Sequence, residues 1–69
     1  MKTNKIRLNG KTVTIEGSAT LGDLIQKKGL DPGTVVVEHN RAIIDTSELD
    51  RITPAPNDVI EILRFVGGG

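Results

Sequence analysis

Gly67-Gly68-Gly69 ends the sequence with three residues that have no side chains. Any chemistry there belongs to the backbone, and at the end of the chain to the carboxylate of Gly69. Glycines meet no side-chain clash in a narrow tunnel and adopt backbone angles closed to other residues. Fully extended at ~3.3–3.6 Å per residue, Val66 to Gly69 reach about 13 Å. That suits a carboxylate inserted into another protein's active site. An incidental frayed tail would carry the same residues, so the glycines alone leave both readings open.

The remaining chemistry-bearing side chains form no constellation. His39 is the single histidine and follows Glu38. No second ligand stands at a regular spacing, so a turn residue is expected there and no metal site. Asp31, Asp45 and Asp50 sit where turns and helix caps want acids, and Lys27-Lys28 reads as a solvated helix face with some dipole benefit. No nucleophile–base pair is visible, so no catalytic residue is expected. The glycine run precedes no helix and cannot cradle phosphate as a P-loop does. With no cysteine, the chain has no disulfide and no thiolate nucleophile or ligand. That fits a reducing compartment, and a cytoplasmic location is expected.

Bulk properties narrow the field further. The 69 residues make one small domain, which buries only about 60% of its unfolded surface and has little room for an enclosed active site. The 9 basic and 9 acidic side chains balance, which argues against a general nucleic-acid binder. Phe65 is the one aromatic residue, so single strands would find no stacking platform. Met1 to Lys5 lead into no long apolar run, so no signal peptide is expected, and no stretch approaches the ~20 apolar residues of a membrane span. The chain is expected to be a monomer when alone.

The elements that position the tail follow from periodicity. Lys5 to Asn9 alternate, Asn9-Gly10 is a strong hairpin turn signal, and Lys11 to Glu16 alternate again. Ile6, Leu8, Val13 and Ile15 then face inward, with Lys5, Arg7, Thr12 and Thr14 outward. Thr20 caps a helix with Asp23 three residues on, like a shortened capping box. Leu21, Leu24, Ile25 and, at its margin, Lys28 form one stripe. Gly22 weakens this helix by about 1 kcal/mol relative to alanine, and a small residue there fits a helix lying close to the sheet. Gly29 suits the left-handed C′ position with Leu30 behind it, and Asp31-Pro32 stops the helix. Thr34 to Glu38 read as a strand and His39-Asn40-Arg41 as a turn. Ala42 to Ile44 read as a short edge strand, and Asp45 to Leu49 as one helical turn capped by Asp45 or Thr46. Thr53-Pro54-Ala55-Pro56 excludes regular structure, Asn57-Asp58 is a turn, and the last strand starts at Val59.

Hairpin, helix, strand, short strand, loop and strand make an α+β chain. The arrangement is one main helix packed on one face of a mixed sheet of four or five strands. The last strand lies in the middle, beside the first. This is the β-grasp, or ubiquitin-like, arrangement, expected over residues 1–66 with a flexible tail over 67–69. In the last strand Ile60 and Ile62 share the core face, whereas Glu61, Leu63 and Phe65 share the other. A single helix leaves that second face open. Leu63 and Phe65 are therefore expected to be exposed, flanked by Lys5 and Arg7, as a surface on which a partner docks. The alternative is a loop that covers them.

These residues also carry a family resemblance over essentially the whole chain. The Asn9-Gly10 hairpin, Thr20-Leu21-x-x-Leu24-Ile25, Val37-Glu38-x-Asn40, and Asp58-x-Ile60-Glu61-Ile62 leading to Phe65-Val66-Gly67-Gly68-Gly69 are together similar to the ThiS family. Its members are sulfur carriers of bacterial thiazole (thiamin) biosynthesis. The resemblance implies a carrier that is not itself an enzyme and binds no cofactor. A ThiF-like partner would consume ATP to adenylate the carboxylate of Gly69. A persulfide donor would supply sulfur to give a thiocarboxylate, and a thiazole synthase of the ThiG type would receive it. Gly67 and Gly68 would give the tail access, and Leu63, Arg64, Phe65 and Val66 would dock partners. The family's usual Gly-Asp before the last strand is Asn57-Asp58 here, and asparagine also tolerates left-handed angles. Arg41-Ala42 and Asp45-Thr46 depart from the family's usual residues. Three other readings stay open. They are a carrier for another product, like the small subunit of molybdopterin synthase, a ubiquitin-like modifier joined to lysines through Gly69, and a plain binding module.

Overall fold

The computed structural model describes residues 2–64. The backbone forms β1 (Thr3–Leu8), β2 (Lys11–Glu16), α1 (Leu21–Lys27), β3 (Val35–His39), β4 (Ala42–Ile44) and β5 (Val59–Arg64). Short 3-10 turns lie at Pro32–Thr34 and Thr46–Arg51. The five strands make one mixed sheet in the order β2-β1-β5-β3-β4. β5 is central, parallel to β1 and antiparallel to β3. This is the β-grasp arrangement expected from the order of elements, and β4 lies at an edge as expected, with β2 at the other.

The two hairpins turn on the same device. Leu8 pairs with Lys11 across Asn9-Gly10, and His39 pairs with Ala42 across Asn40-Arg41. Both central residues of each turn have positive φ, at 50° and 81° in the first and 50° and 73° in the second. Two-residue turns of this kind match the twist of the flanking strands. His39 thus ends β3 instead of entering the turn. Glycine meets the demand at position 10, whereas Arg41 meets it against the preference of its Cβ.

The helix is seven residues long, too short to hold itself in water, so its ends and its buried face must hold it. The Thr20 hydroxyl accepts from the Asp23 N–H at 3.1 Å, and the Asp23 carboxylate accepts from the Thr20 N–H at 2.9 Å, a complete capping box. At the other end the N–H of Gly29 donates to Gln26 and that of Leu30 to Ile25, with Gly29 at φ 73°. This is the Schellman closure expected for a glycine at C′. Lys28 is exposed at the C-cap and stands outside the buried stripe of Leu21, Leu24 and Ile25. Gly22 does not bring the helix close to the sheet. A Cβ there would collide with the carboxylate of Asp50, so the close approach is to the Thr46–Arg51 turn.

Ile6, Leu8 and Ile15 of the hairpin, the helix stripe, Val35 and Val37 of β3, and Ile60 and Ile62 of β5 form the core. Val13 packs against it half-buried. Leu49 and Pro54 are also buried, which the sequence pattern did not single out. Leu49 lies in a short 3-10 turn and Pro54 in an irregular segment, each too short to show a repeating inward face. With the helix on one side only, the opposite face of the sheet is open.

Candidate functional site: the open sheet face and the strand leading to the tail

β5 is the element on which any function of the tail depends, and two asparagines hold it in place. β1 ends at Leu8, beside Ile60. Beyond that point the Asn9 side chain takes over the ladder. Its Oδ1 accepts from the Ile62 N–H at 2.7 Å and its Nδ2 donates to the Ile62 carbonyl at 3.3 Å. On the other side Asn40 Oδ1 accepts from the Val59 N–H at 2.8 Å, and the Asn40 N–H donates to the Val59 carbonyl. Each asparagine therefore serves twice, by adopting a left-handed angle in its turn and by pairing with β5. The Asn9-Gly10 signal marked the turn, but nothing in the spacing showed that the amide reaches 53 residues along the chain.

The start of β5 is fixed by Asp58. Its Oδ2 accepts from the Ala55 N–H at 2.9 Å and lies 2.7 Å from His39 Nε2. Burial works against ionisation of this carboxyl. The hydrogen bonds from His39, the Ala55 N–H and Asn40, with the charge of His39, outweigh it and hold the group below its ordinary value. His39 is thus a structural partner of the Asn57-Asp58 turn, which forms with Asn57 at φ 72°. No cluster of three or more His, Cys, Asp or Glu side chains able to hold a metal occurs among the described residues.

Leu63 lies on the open face, 52% exposed, and Arg64 beside it is also exposed. Phe65, Val66, Gly67, Gly68 and Gly69 lie outside the described residues. The surroundings of Leu63 differ from the sequence expectation. β1 and β5 run parallel with Arg7 opposite Val59, so Lys5 and Arg7 stand beside the start of β5 and not beside its end. Leu63 instead pairs with half-buried Val36 of β3. The next row across the sheet is Glu61, Glu38 and Ile43, and Ile43 is 73% exposed on the edge strand. The open face is therefore divided. Its β1–β2 half carries Lys5, Arg7, Thr12, Thr14 and, at the far end of β2, Glu16, and its β5–β3–β4 half is apolar around two carboxylates.

The ThiS family model matches residues 6–69. The sulfur carrier protein ThiS of Bacillus subtilis is 38% identical over 65 residues, covering 93% of this chain and 98% of that protein. A thiazole synthase of Magnetococcus marinus is 35% identical over 65 residues; the match takes in 94% of this chain but spans only 20% of that longer protein. The crystal structure of the thiamine biosynthesis protein ThiS of Geobacter metallireducens superposes with a TM-score of 0.76 at 28% identity, covering 94% of this chain and 99% of that one. The likeness begins inside β1 and takes in every later element, including the central strand and the glycines that follow it. This chain belongs to the ThiS family.

Proposed function

We propose that this protein carries sulfur for thiazole formation in thiamin biosynthesis, on the carboxylate of Gly69. The observation that carries this reading is the end-to-end likeness to a sulfur carrier protein of nearly the same length. The likeness to one part of a protein named as a thiazole synthase supports that enzyme as the acceptor, because a segment similar to this chain is there part of the synthase chain itself.

The chemistry follows from the poor electrophilicity of a carboxylate. A ThiF-like partner transfers AMP from ATP to the Gly69 carboxylate and releases pyrophosphate, which makes the carbonyl an acyl adenylate. The terminal sulfur of a persulfide attacks that carbonyl and AMP leaves. A thiol then reduces the resulting S–S bond and frees a thiocarboxylate on Gly69. The chain supplies the substrate carboxylate and its delivery, and the partners supply the catalysis. With no cysteine in the sequence, no internal thiol competes for the activated acyl group. β5 pins the chain up to Arg64 against β3, and Phe65 to Gly69 follow that fixed point in sequence. Leu63, Arg64, Phe65 and Val66 meet the partner enzymes, and Gly67 and Gly68 thread the carboxylate into their active sites.

Deleting Gly68 and Gly69 tests the reading. The shortened chain should keep its fold, because glycines have no side chain to contribute to a core, and it should lose ATP-dependent sulfur acceptance and support of thiazole synthesis. Retention of partner-dependent function by the shortened chain would defeat the carrier reading and favour a binding module.

A further inference from the structure

The open face has a second feature that its apolar residues do not explain. Glu38 and Glu61 are directly opposite each other in the antiparallel β3–β5 pair, and both are half-buried. Side chains at such positions have Cβ atoms about 4.5–5.5 Å apart, and like charges there are destabilising. Neither carboxylate forms an ion pair with any described residue; the ion pairs found are His39–Asp58 and Arg51–Glu48. Arg7, an outward-facing cation of the adjacent strand, is engaged elsewhere and donates from Nη2 to the Gly10 carbonyl at 3.3 Å. Around the two acids stand Val36, Leu63 and Ile43, and the latter two are more than half exposed. A face built only for solubility would not surround its charges with exposed aliphatics, and one built only for apolar contact would not centre a repelling pair.

We propose that the β5–β3–β4 half of the open face docks a protein partner that places a cationic side chain, a guanidinium by the geometry of two facing carboxylates, between Glu38 and Glu61, with Val36, Leu63 and Ile43 packed against apolar groups around it. The repulsion borne by the free domain is relieved when the cation arrives, so the pair favours the complex over the free state. A planar guanidinium can meet both carboxylates at once, which a single ammonium does less well. On β1 of the same face Lys5 and Arg7 would repel a cationic partner surface, and that asymmetry orients the partner relative to β5. This inference rests on the docking role proposed above and names the partner's complementary group.

The test combines stability and affinity. In the full chain, Glu38→Gln and Glu61→Gln together preserve shape and remove both charges. Thermal melting should show an unchanged Tm or one raised by a few degrees, as expected for loss of a cross-strand like-charge pair. Calorimetric titration into a ThiF-like adenylating enzyme should show the Kd raised about tenfold or more, with a weaker dependence on salt than the original chain. Leu63→Ala, on an exposed side chain, should weaken binding without lowering Tm. If Leu63→Ala weakens binding and the double glutamine variant does not, the cation is refuted and the docking face stands. If neither changes Kd, the docking face falls too. If the double variant lowers both Tm and affinity, the two glutamates hold the sheet and the inference is overturned.

Discussion

Asn9 shows how much one side chain can decide in a domain with so small a core. It closes the first hairpin with φ at 50° and supplies both hydrogen bonds to Ile62 where β1 has ended. Asn9→Gly keeps the turn angle and removes the amide, leaving Ile62 short of partners. The expected loss is about 1–3 kcal/mol in a chemical denaturation measurement, the usual cost of stranding a backbone group. Asp58 is the complementary case, since its contribution depends on charge. Its folded pKa lies below the ordinary 3.8. The ionised form is therefore favoured by folding, and its stabilisation is fully present well above that value. It declines as pH falls through 3.8 and is lost below the folded pKa. Melting curves between pH 7 and 3 should show a shallower acid decline for Asp58→Asn than for the original chain. Equal declines would place the acid sensitivity in other carboxylates.

At the scale of elements, alternation and turn chemistry in the sequence were enough to place the first hairpin, the capped helix, the edge strand and the central last strand. Period and turn type are local properties. What escaped was set by register between distant strands. The pairing of Arg7 with Val59 moved Lys5 and Arg7 away from Leu63, and the pairing of Glu38 with Glu61 placed two acids side by side. No single-strand pattern contains either fact. The buried Leu49 and Pro54 escaped for a related reason, because they lie in segments without a period. The second hairpin also holds a local conflict, since Arg41 occupies a left-handed turn position at φ 73°. Arg41→Gly should stabilise the domain by about 0.5–1 kcal/mol, because the relief of Cβ strain exceeds the added chain entropy of glycine. A loss of stability would mean that the arginine side chain makes a compensating contact.

Seen as a whole molecule, the protein has one covered face and one open face, with the central strand leading into the glycines. The helix and the Thr46–Arg51 turn use the inner face for stability, which leaves the outer face free for association. β5 is paired with β3 as far as Arg64, which gives the residues that follow a fixed origin. Among the site residues, Leu63 was expected on the open face and is exposed, and Arg64 is exposed beside it, whereas the roles assigned to Phe65 through Gly69 rest on chemistry and family likeness. Phe65→Asp should reduce transfer between partners while leaving Tm within a few degrees of the original; a collapse of Tm would assign Phe65 to the core instead. The proposal that Gly69 bears the sulfur is tested by intact-mass spectrometry of the chain after incubation with a ThiF-like adenylating enzyme, ATP, a persulfide donor and a thiol reductant. The expected result is the mass gain of one oxygen replaced by sulfur, localised by fragmentation to Gly69 and absent without ATP. No gain, with the same enzyme shown to act on another carrier, would contradict it.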